Sequence, residues 1–384
     1  MTDVNVEGIV EPGFEAVRGA FAANFADRGD VGASCCIYHR GRRVVDLWGG
    51  VRTPGGGDAY APGTLQMVMS STKGIVSVAA HMLAQEGRLD FDAPVTTYWP
   101  EFGAEGKGRM PVRWLFSHRA GLAAIDRPLS FEQVLAWDPV IAALAAQRPL
   151  WEPNSAHGYH VGTFGWLAGE MVRRASGKSV GRFVAERIAG PLGLDMGIGL
   201  TASEVARVCP IIPQPAPAPG APLDEMTARI MDPTTLLHRA FANPFIPPGA
   251  FNDPAVFAAE LPAANGITDA RALARMYAAC LGEVDGVRLL DAKTLERATR
   301  VESAGEDLVL GYETRYATGF QLSFPFRPML GEGSFGHYGM GGSVGFAHQG
   351  HGVAFAYVMN QMLPSGGIDP RPAALVQALA GCLG

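Results

Sequence analysis

Strand-forming runs crowd both ends of this 384-residue chain and leave its middle to helices and loops. Residues 33–38 and 44–48 are apolar, β-branched or aromatic runs on either side of His39, Arg40, Gly41 and Arg42, which reads as a hairpin. Near the other end, residues 316–324, 344–349 and 353–359 read as strands, the last two joined across Gly350, His351 and Gly352. A sheet that draws strands from both termini must close around whatever lies between them. The pattern predicts an α/β unit from residues 1–79 and 261–384, with residues 80–260 inserted as a mainly helical unit.

The helical segments follow from apolar spacing. Residues 12–28 place Phe14, Val17, Phe21 and Phe25 on one face. Residues 131–150, 164–174 and 180–188 are helical regions of the middle. Thr268 opens a helix to residue 281, with Ala272, Leu273, Met276 and Tyr277 on one side, and residues 369–383 form a terminal helix. Six prolines between 209 and 222 (Pro210, Pro213, Pro215, Pro217, Pro219, Pro222) mark an extended connector. A second loop, 245–253, contains Pro247, Pro248 and Gly249 and is placed to drape over a pocket. No internal repeat is evident.

Composition removes several function classes. Only 18% of residues are charged against 48% apolar, and the net charge is −6, which fits a compact globular protein. Without a basic stripe, nucleic acid is not expected as a partner. No apolar run is long enough to span a membrane. Asp3 and Glu7 stand where a secretory leader would carry bases, so a cytoplasmic location is expected. Cys35, Cys36, Cys209, Cys280 and Cys382 form neither a disulfide framework nor a metal-ligand spacing, so free thiols and no metal or cofactor are expected.

Chemistry concentrates in three stretches. The first holds Ser70 and Lys73, followed by Ile75, Val78, Ala79, Met82 and Leu83 at helical spacing. If Ser70 opens that helix, Lys73 lies one turn on and on the same face. An N-cap serine followed by a solvated lysine would read the same way. Lysine is scarce here, however: Lys73, Lys107, Lys178 and Lys293 are the only four, in a chain rich in Arg. Arg could not lose a proton beside the serine and Lys can. The second stretch, 151–163, crowds Trp151, His157, Tyr159 and His160 into a loop before an apolar helix. Tyr159 could act as an acid or base only with a cation nearby, or could simply pack. The third, 335–346, carries five glycines into a strand, where a backbone amide could meet an oxyanion or merely form a turn.

Taken in order, these stretches resemble the serine β-lactamase/penicillin-binding-protein superfamily, most of all its family VIII carboxylesterases. Ser70 and Lys73 match S-x-x-K. Tyr159 to Gly165 matches the Y-H-x-x-T-x-G form, and His337, Tyr338 and Gly339 match the third motif. Leu115, His118, Gly121 and Leu122 match Leu-x-x-His-x-x-Gly-Leu. The resemblance covers roughly residues 30–360. It implies an α/β fold of β-lactamase/transpeptidase type: an antiparallel sheet flanked by helices, plus a largely helical domain. It also implies an acyl-enzyme on Ser70, with Lys73 and Tyr159 sharing the proton transfers and the Ser70 and Met340 amides forming the oxyanion hole. His337, Tyr338, Gly339, Gly341 and His160 would line the substrate, expected to be a small ester.

Two departures bear on the substrate. Val161 stands where such lactamases carry Asn, and His337 replaces the third-motif Lys. Both weaken recognition of a β-lactam carboxylate and favour a neutral ester. A rival motif, Gly341-Gly342-Ser343-Val344-Gly345, fits G-x-S-x-G, but a strand follows Ser343, and His348 and His351 precede Asp369. An amidase, D-amino-acid peptidase, acyltransferase or β-lactamase of the same superfamily is the alternative reading. A non-catalytic binding protein is the remaining one.

Overall fold

The computed structural model describes residues 4–214, 222–363 and 367–384. Twelve strands occur among them: β1 (Val6–Val10), β2 (Gly32–His39), β3 (Arg42–Gly50), β4 (Gln66–Met67), β5 (Met196–Gly197), β6 (Ile267–Thr268), β7 (Ser303–Glu306), β8 (Glu313–Tyr316), β9 (Gln321–Leu322), β10 (Ser334–Tyr338), β11 (Val344–His348) and β12 (Val353–Met359). Nine of them form one antiparallel sheet in the order β1-β3-β2-β12-β11-β10-β9-β8-β7. The N-terminal strands thus join the C-terminal ones at the β2–β12 pairing, Val353 opposite His39 through Met359 opposite Ala33. This is the β-lactamase/transpeptidase-like architecture, a mixed α/β fold built on an antiparallel sheet.

Side-chain size explains the layering. Along β12, Val353, Phe355, Tyr357 and Met359 face one core and Ala354, Ala356 and Val358 face the other. The bulky face packs against helices α1 (Glu15–Asp27) and, at the far end of the chain, Pro370–Leu383, through Val17, Phe21, Leu375 and Leu379. The small-residue face admits the helix Ala270–Leu281 closely. A Cβ on Gly345 would lie 2.7 Å from Leu273. Beyond it lies α2 (Thr72–Gln85), buried along almost its whole length.

The hairpin at 39–42 turns through Arg40 and Gly41, both at positive φ. Helix boundaries shift from the sequence reading for local reasons. Thr268 lies in β6, and Asp269 caps the following helix by accepting from the Ala272 amide at 2.7 Å. The region 131–150 splits into Phe131–Leu135 and Asp138–Ala146, because Trp137 takes φ +60° just ahead of Pro139. The expected strand 316–324 breaks after Tyr316, where Gly319 at φ +89° brings its backbone against Ser77 of α2. Strands β1, β7 and β10 of the large sheet, and β4, β5 and β6 of the small one, lie outside the runs read as strands. The small sheet β4-β6-β5 takes one strand from 66–67, one from 196–197 and one from 267–268, so the middle region is stitched to both flanks. Pro215, Pro217 and Pro219 lie outside the described residues. The loop around 245–253 packs into the main core through Ile246, Ala250 and Phe251, and Asn252 exchanges two 2.8 Å hydrogen bonds with Ile211.

Candidate active site

The chain enters α2 through a strained turn. Met69 sits at φ +46°, and Met69–Ser71 forms a single 3-10 turn before the α-helix begins at Thr72. Ser70 therefore precedes the α-helix rather than opening it. Thr72 locks the turn: its hydroxyl donates to the Met69 carbonyl at 2.6 Å and accepts from the Gly266 amide at 2.8 Å.

Lys73 is fully buried, and its Nζ lies 3.1 Å from Ser70 Oγ. The same nitrogen donates to the carbonyls of Val161 at 2.8 Å and Ala263 at 3.0 Å. Among the described residues no carboxylate forms an ion pair with it. Burial pushes its pKa well below the usual lysine value. The Ala263 carbonyl can come so close because Gly165, on the helix Thr163–Ser176, leaves room: a Cβ there would lie 2.5 Å from the Ala263 amide. Lys107 is also buried and bonds two carbonyls, but it faces Phe102 and has no hydroxyl partner among the described residues.

Tyr159 covers this pair. Its ring centroid is 4.9 Å from Lys73 Nζ, and it is sandwiched between the rings of Tyr316 at 6.0 Å and His337 at 5.9 Å. Burial drives its phenol far above the ordinary tyrosine pKa, and the nearby Ser70 hydroxyl pulls weakly the other way. Asp307 fixes the segment from behind, accepting from the amides of Tyr159, Val309 and Leu310, each at 2.9 Å. His118, at φ +62°, accepts from the His160 amide at 3.1 Å and packs on Tyr159 at 5.0 Å. Nothing in the sequence marked Asp307 for this role; its signal is the convergence of three sequence-distant or loop amides on one carboxylate.

The third motif runs along β10 into a turn beside the Ser70 segment. Ser71 Oγ donates to the His337 carbonyl at 3.1 Å, and Ser343 Oγ donates to the Val68 carbonyl at 2.7 Å. A Cβ on Gly339 would lie 2.4 Å from the Val68 carbonyl and 2.1 Å from Ser343 Oγ, so only glycine fits. His337 donates from Nδ1 to the Tyr338 carbonyl at 2.6 Å, and its Nε2 is buried with no partner among the described residues. Burial lowers its pKa to about 3, so the ring is neutral. Tyr338 turns instead toward Arg327, whose guanidinium lies 5.4 Å from its ring. Gly341 and Gly342 take positive φ in the turn after Met340. No described residue accepts a hydrogen bond from the Met340 amide.

One expectation needs correction, and the rival serine is structural as its sequence context implied. His160 is fully buried, donating from Nδ1 to the Gly158 carbonyl at 2.7 Å and accepting at Nε2 from the Leu122 amide at 3.0 Å. Both nitrogens are spent on holding the Tyr159 loop to the 115–122 element, so it is not a substrate contact. Ser343 is likewise structural: a strand follows it and its hydroxyl is committed to Val68. The described residues contain no group of three or more His, Cys, Asp or Glu able to hold a metal ion. No described helix is long and apolar enough to cross a membrane. All five cysteines are free.

A family model described as Beta-lactamase matches residues 18–379. The chain belongs to the β-lactamase family. It is 35% identical over 371 residues to the protein described as esterase/beta-lactamase LipL of Mycobacterium tuberculosis, covering 93% of this chain and 83% of that one. A solved family VIII carboxylesterase superposes with a TM-score of 0.90 at 38% identity, covering 98% of this chain and all of the other. A penicillin-binding-protein homologue from Caulobacter crescentus superposes with a TM-score of 0.86 at 35% identity, again over 98% and 100%. The family places the chain among hydrolases of the serine β-lactamase/esterase superfamily.

Proposed function

We propose that this β-lactamase-family protein is a serine carboxylesterase that forms an acyl-enzyme on Ser70. The observation that carries the reading is the buried Lys73 amine 3.1 Å from Ser70 Oγ with two carbonyls on its other side. A neutral amine has two N–H bonds and one lone pair. The Val161 and Ala263 carbonyls take the two N–H bonds, so the lone pair is left for the Ser70 hydroxyl proton. Burial and the positive end of α2 both favour that neutral form. Tyr159 is the weaker candidate for first base, since its raised pKa keeps it a phenol.

In this reading Ser70 Oγ attacks the ester carbonyl while its proton passes to Lys73. The oxyanion is received by the Ser70 and Met340 amides. Tyr159, whose ring lies 4.9 Å from Lys73 Nζ, relays the proton from Lys73 to the departing alkoxide, and deacylation by water runs the same steps in reverse. Tyr159 sits in an apolar cluster with Leu237, Val309 and Leu310, against which Val161 and Tyr312 pack, and this suits an uncharged acyl or alkoxy group. The esterase and carboxylesterase names of similar proteins support the reading. The penicillin-binding name of another keeps β-lactam acylation as the second reading.

The test is intact-protein and peptide mass spectrometry after reaction with a p-nitrophenyl phosphonate. The expected adduct is on Ser70, with loss of esterase activity in step. Full inactivation with the adduct elsewhere would overturn the assignment.

A further inference from the structure

Behind the turn that follows Met340 lies a fully buried arginine, Arg371, from the first turn of the C-terminal helix Pro370–Leu383. A guanidinium has five N–H donors, and here all five are used. Nε and Nη2 hold the Asp369 carboxylate at 3.1 and 2.7 Å. Nη1 donates to Asp30 Oδ1 at 3.0 Å and to the Gln361 carbonyl at 2.8 Å. The remaining Nη2 hydrogen goes to the Gly341 carbonyl at 2.5 Å, which also accepts from the Leu363 amide at 3.3 Å. Asp30 is held in turn by the Tyr357 hydroxyl at 2.6 Å. Room for the guanidinium depends on Gly342: a Cβ there would lie 2.5 Å from Arg371 Nη2.

Resting on the assignment of the Met340 amide to the oxyanion hole, we infer that Arg371 is a positioning residue for that amide. It fixes the Gly341–Gly342 peptide, two units beyond the one that carries the Met340 amide, and touches no reacting atom. Gly339, on the other side, is held by its amide's 2.7 Å bond to the Ser343 carbonyl. The turn would otherwise have wide freedom, because Gly341 and Gly342 follow each other at φ +87° and +125°. A planar, always-charged fork suits the task, since it can grip a carbonyl while its other donors are anchored on two carboxylates. The anchors come from opposite ends of the chain, Asp30 and Asp369, so the oxyanion turn is clamped to the closure of the fold.

The experiment compares Arg371→Lys with the wild type. A lysine keeps the charge but cannot span Gly341, Asp30 and Asp369 together. The expected result is a folded protein with kcat for p-nitrophenyl butyrate lowered at least about 10-fold, KM within about 3-fold, and faster amide hydrogen exchange confined to residues 339–343. Should the lysine variant not fold, Asp30→Asn/Arg371→Met removes the fully buried pair together and leaves unpaired only the Asp369 carboxylate, which reaches solvent; the same changes are expected. A folded variant with wild-type kcat, or with unchanged exchange at 339–343, overturns the inference. Phosphonate labelling of wild-type Ser70 is run alongside. Labelling elsewhere sinks the proposed function, while the exchange data still decide whether Arg371 orders the turn.

Discussion

Lys73 Nζ faces Ser70 Oγ at 3.1 Å with no carboxylate beside it among the described residues, so its charge is opposed by burial and compensated by no counter-ion. Lysine is useful here because its neutral form is accessible, and the guanidinium of Arg has no such form at working pH. Lys73→Arg and Lys73→Met are each expected to lower the acylation rate by at least about 100-fold, the range for losing a positioned base. Single-turnover kinetics with a p-nitrophenyl ester measure it. Acylation within a few-fold of wild type in Lys73→Met would move the base to another group.

Ser343 separates a structural serine from a nucleophilic one. Its hydroxyl holds the Val68 carbonyl two residues before Ser70. Ser70→Ala should abolish ester hydrolysis. Ser343→Ala should keep phosphonate labelling on Ser70 and cost only about 0.5–1.5 kcal/mol of stability, the net worth of one hydrogen bond, because the Val68 carbonyl still accepts from the Ser71 amide at 3.1 Å. The opposite pattern, with Ser70→Ala active and Ser343→Ala dead, would restore the G-x-S-x-G reading.

The pairing of Ser70 with Lys73 was legible because it is local: three residues apart on one helical turn fixes the geometry from spacing alone. Tyr159 was legible through its aromatic and polar neighbours and its place in the motif order. The Val161 and Ala263 carbonyls were not, because every residue offers a carbonyl and only the fold chooses which ones converge. Asp307 and Arg371 were hidden for the same reason, since their partners are mostly backbone atoms far along the chain. Strand β10 was obscured by Gly336, which reads as a breaker. In the sheet it is required by close approach, because a Cβ there would lie 2.2 Å from the Gly345 carbonyl. β1 was missed at the sheet edge, where alternating exposure and Gly8 at φ +109° weaken the strand pattern. The strands that were found, β2, β3, β11 and β12, lie toward the middle of the sheet and are buried along most of their length.

Buried histidines set the response to acid. His81 and His160 are lowered to about 4, His337 to about 3 and His118 well below its usual value, all mainly by burial. Below about pH 6.5 the unfolded chain takes four protons on these rings that the native state refuses. Asp30 and Asp269 act against this: burial raises both to about 6, so the native state takes two protons that the unfolded chain does not. His157 and Asp307 shift in opposite senses, and His39 and His348 are lowered in the same sense as the four rings. Below about pH 6.5 the unfolded state therefore binds more protons than the native state, and stability falls with falling pH. Melting curves from pH 7 to 5 should show a falling Tm. His81→Gln, which keeps a donor for the Thr318 carbonyl, should flatten that slope. A Tm that holds or rises toward pH 5 would contradict the balance.

Substrate preference turns on what stands at the third motif. A β-lactam presents a carboxylate, whose natural partner is a fixed cation. His337 cannot be one: its Nδ1–H is spent on the Tyr338 carbonyl, its Nε2 is an unprotonated acceptor, and its pKa of about 3 leaves the ring uncharged across the working range. Val161 adds no side-chain amide, serving Lys73 with its carbonyl instead. A neutral short-chain ester needs only the oxyanion amides and an apolar wall. We therefore expect kcat/KM for p-nitrophenyl acetate or butyrate to exceed that for penicillins and cephalosporins by at least about 100-fold, roughly 2.7 kcal/mol of transition-state stabilisation. His337→Lys should raise β-lactam turnover relative to ester turnover. It should also lower the absolute rates and the stability, because the new ammonium would be buried against Tyr159 and near Lys73. Side-by-side kinetics on p-nitrophenyl butyrate and nitrocefin decide the matter: comparable efficiencies would mean that another group holds the carboxylate, and the carboxylesterase reading would then give way to a β-lactamase.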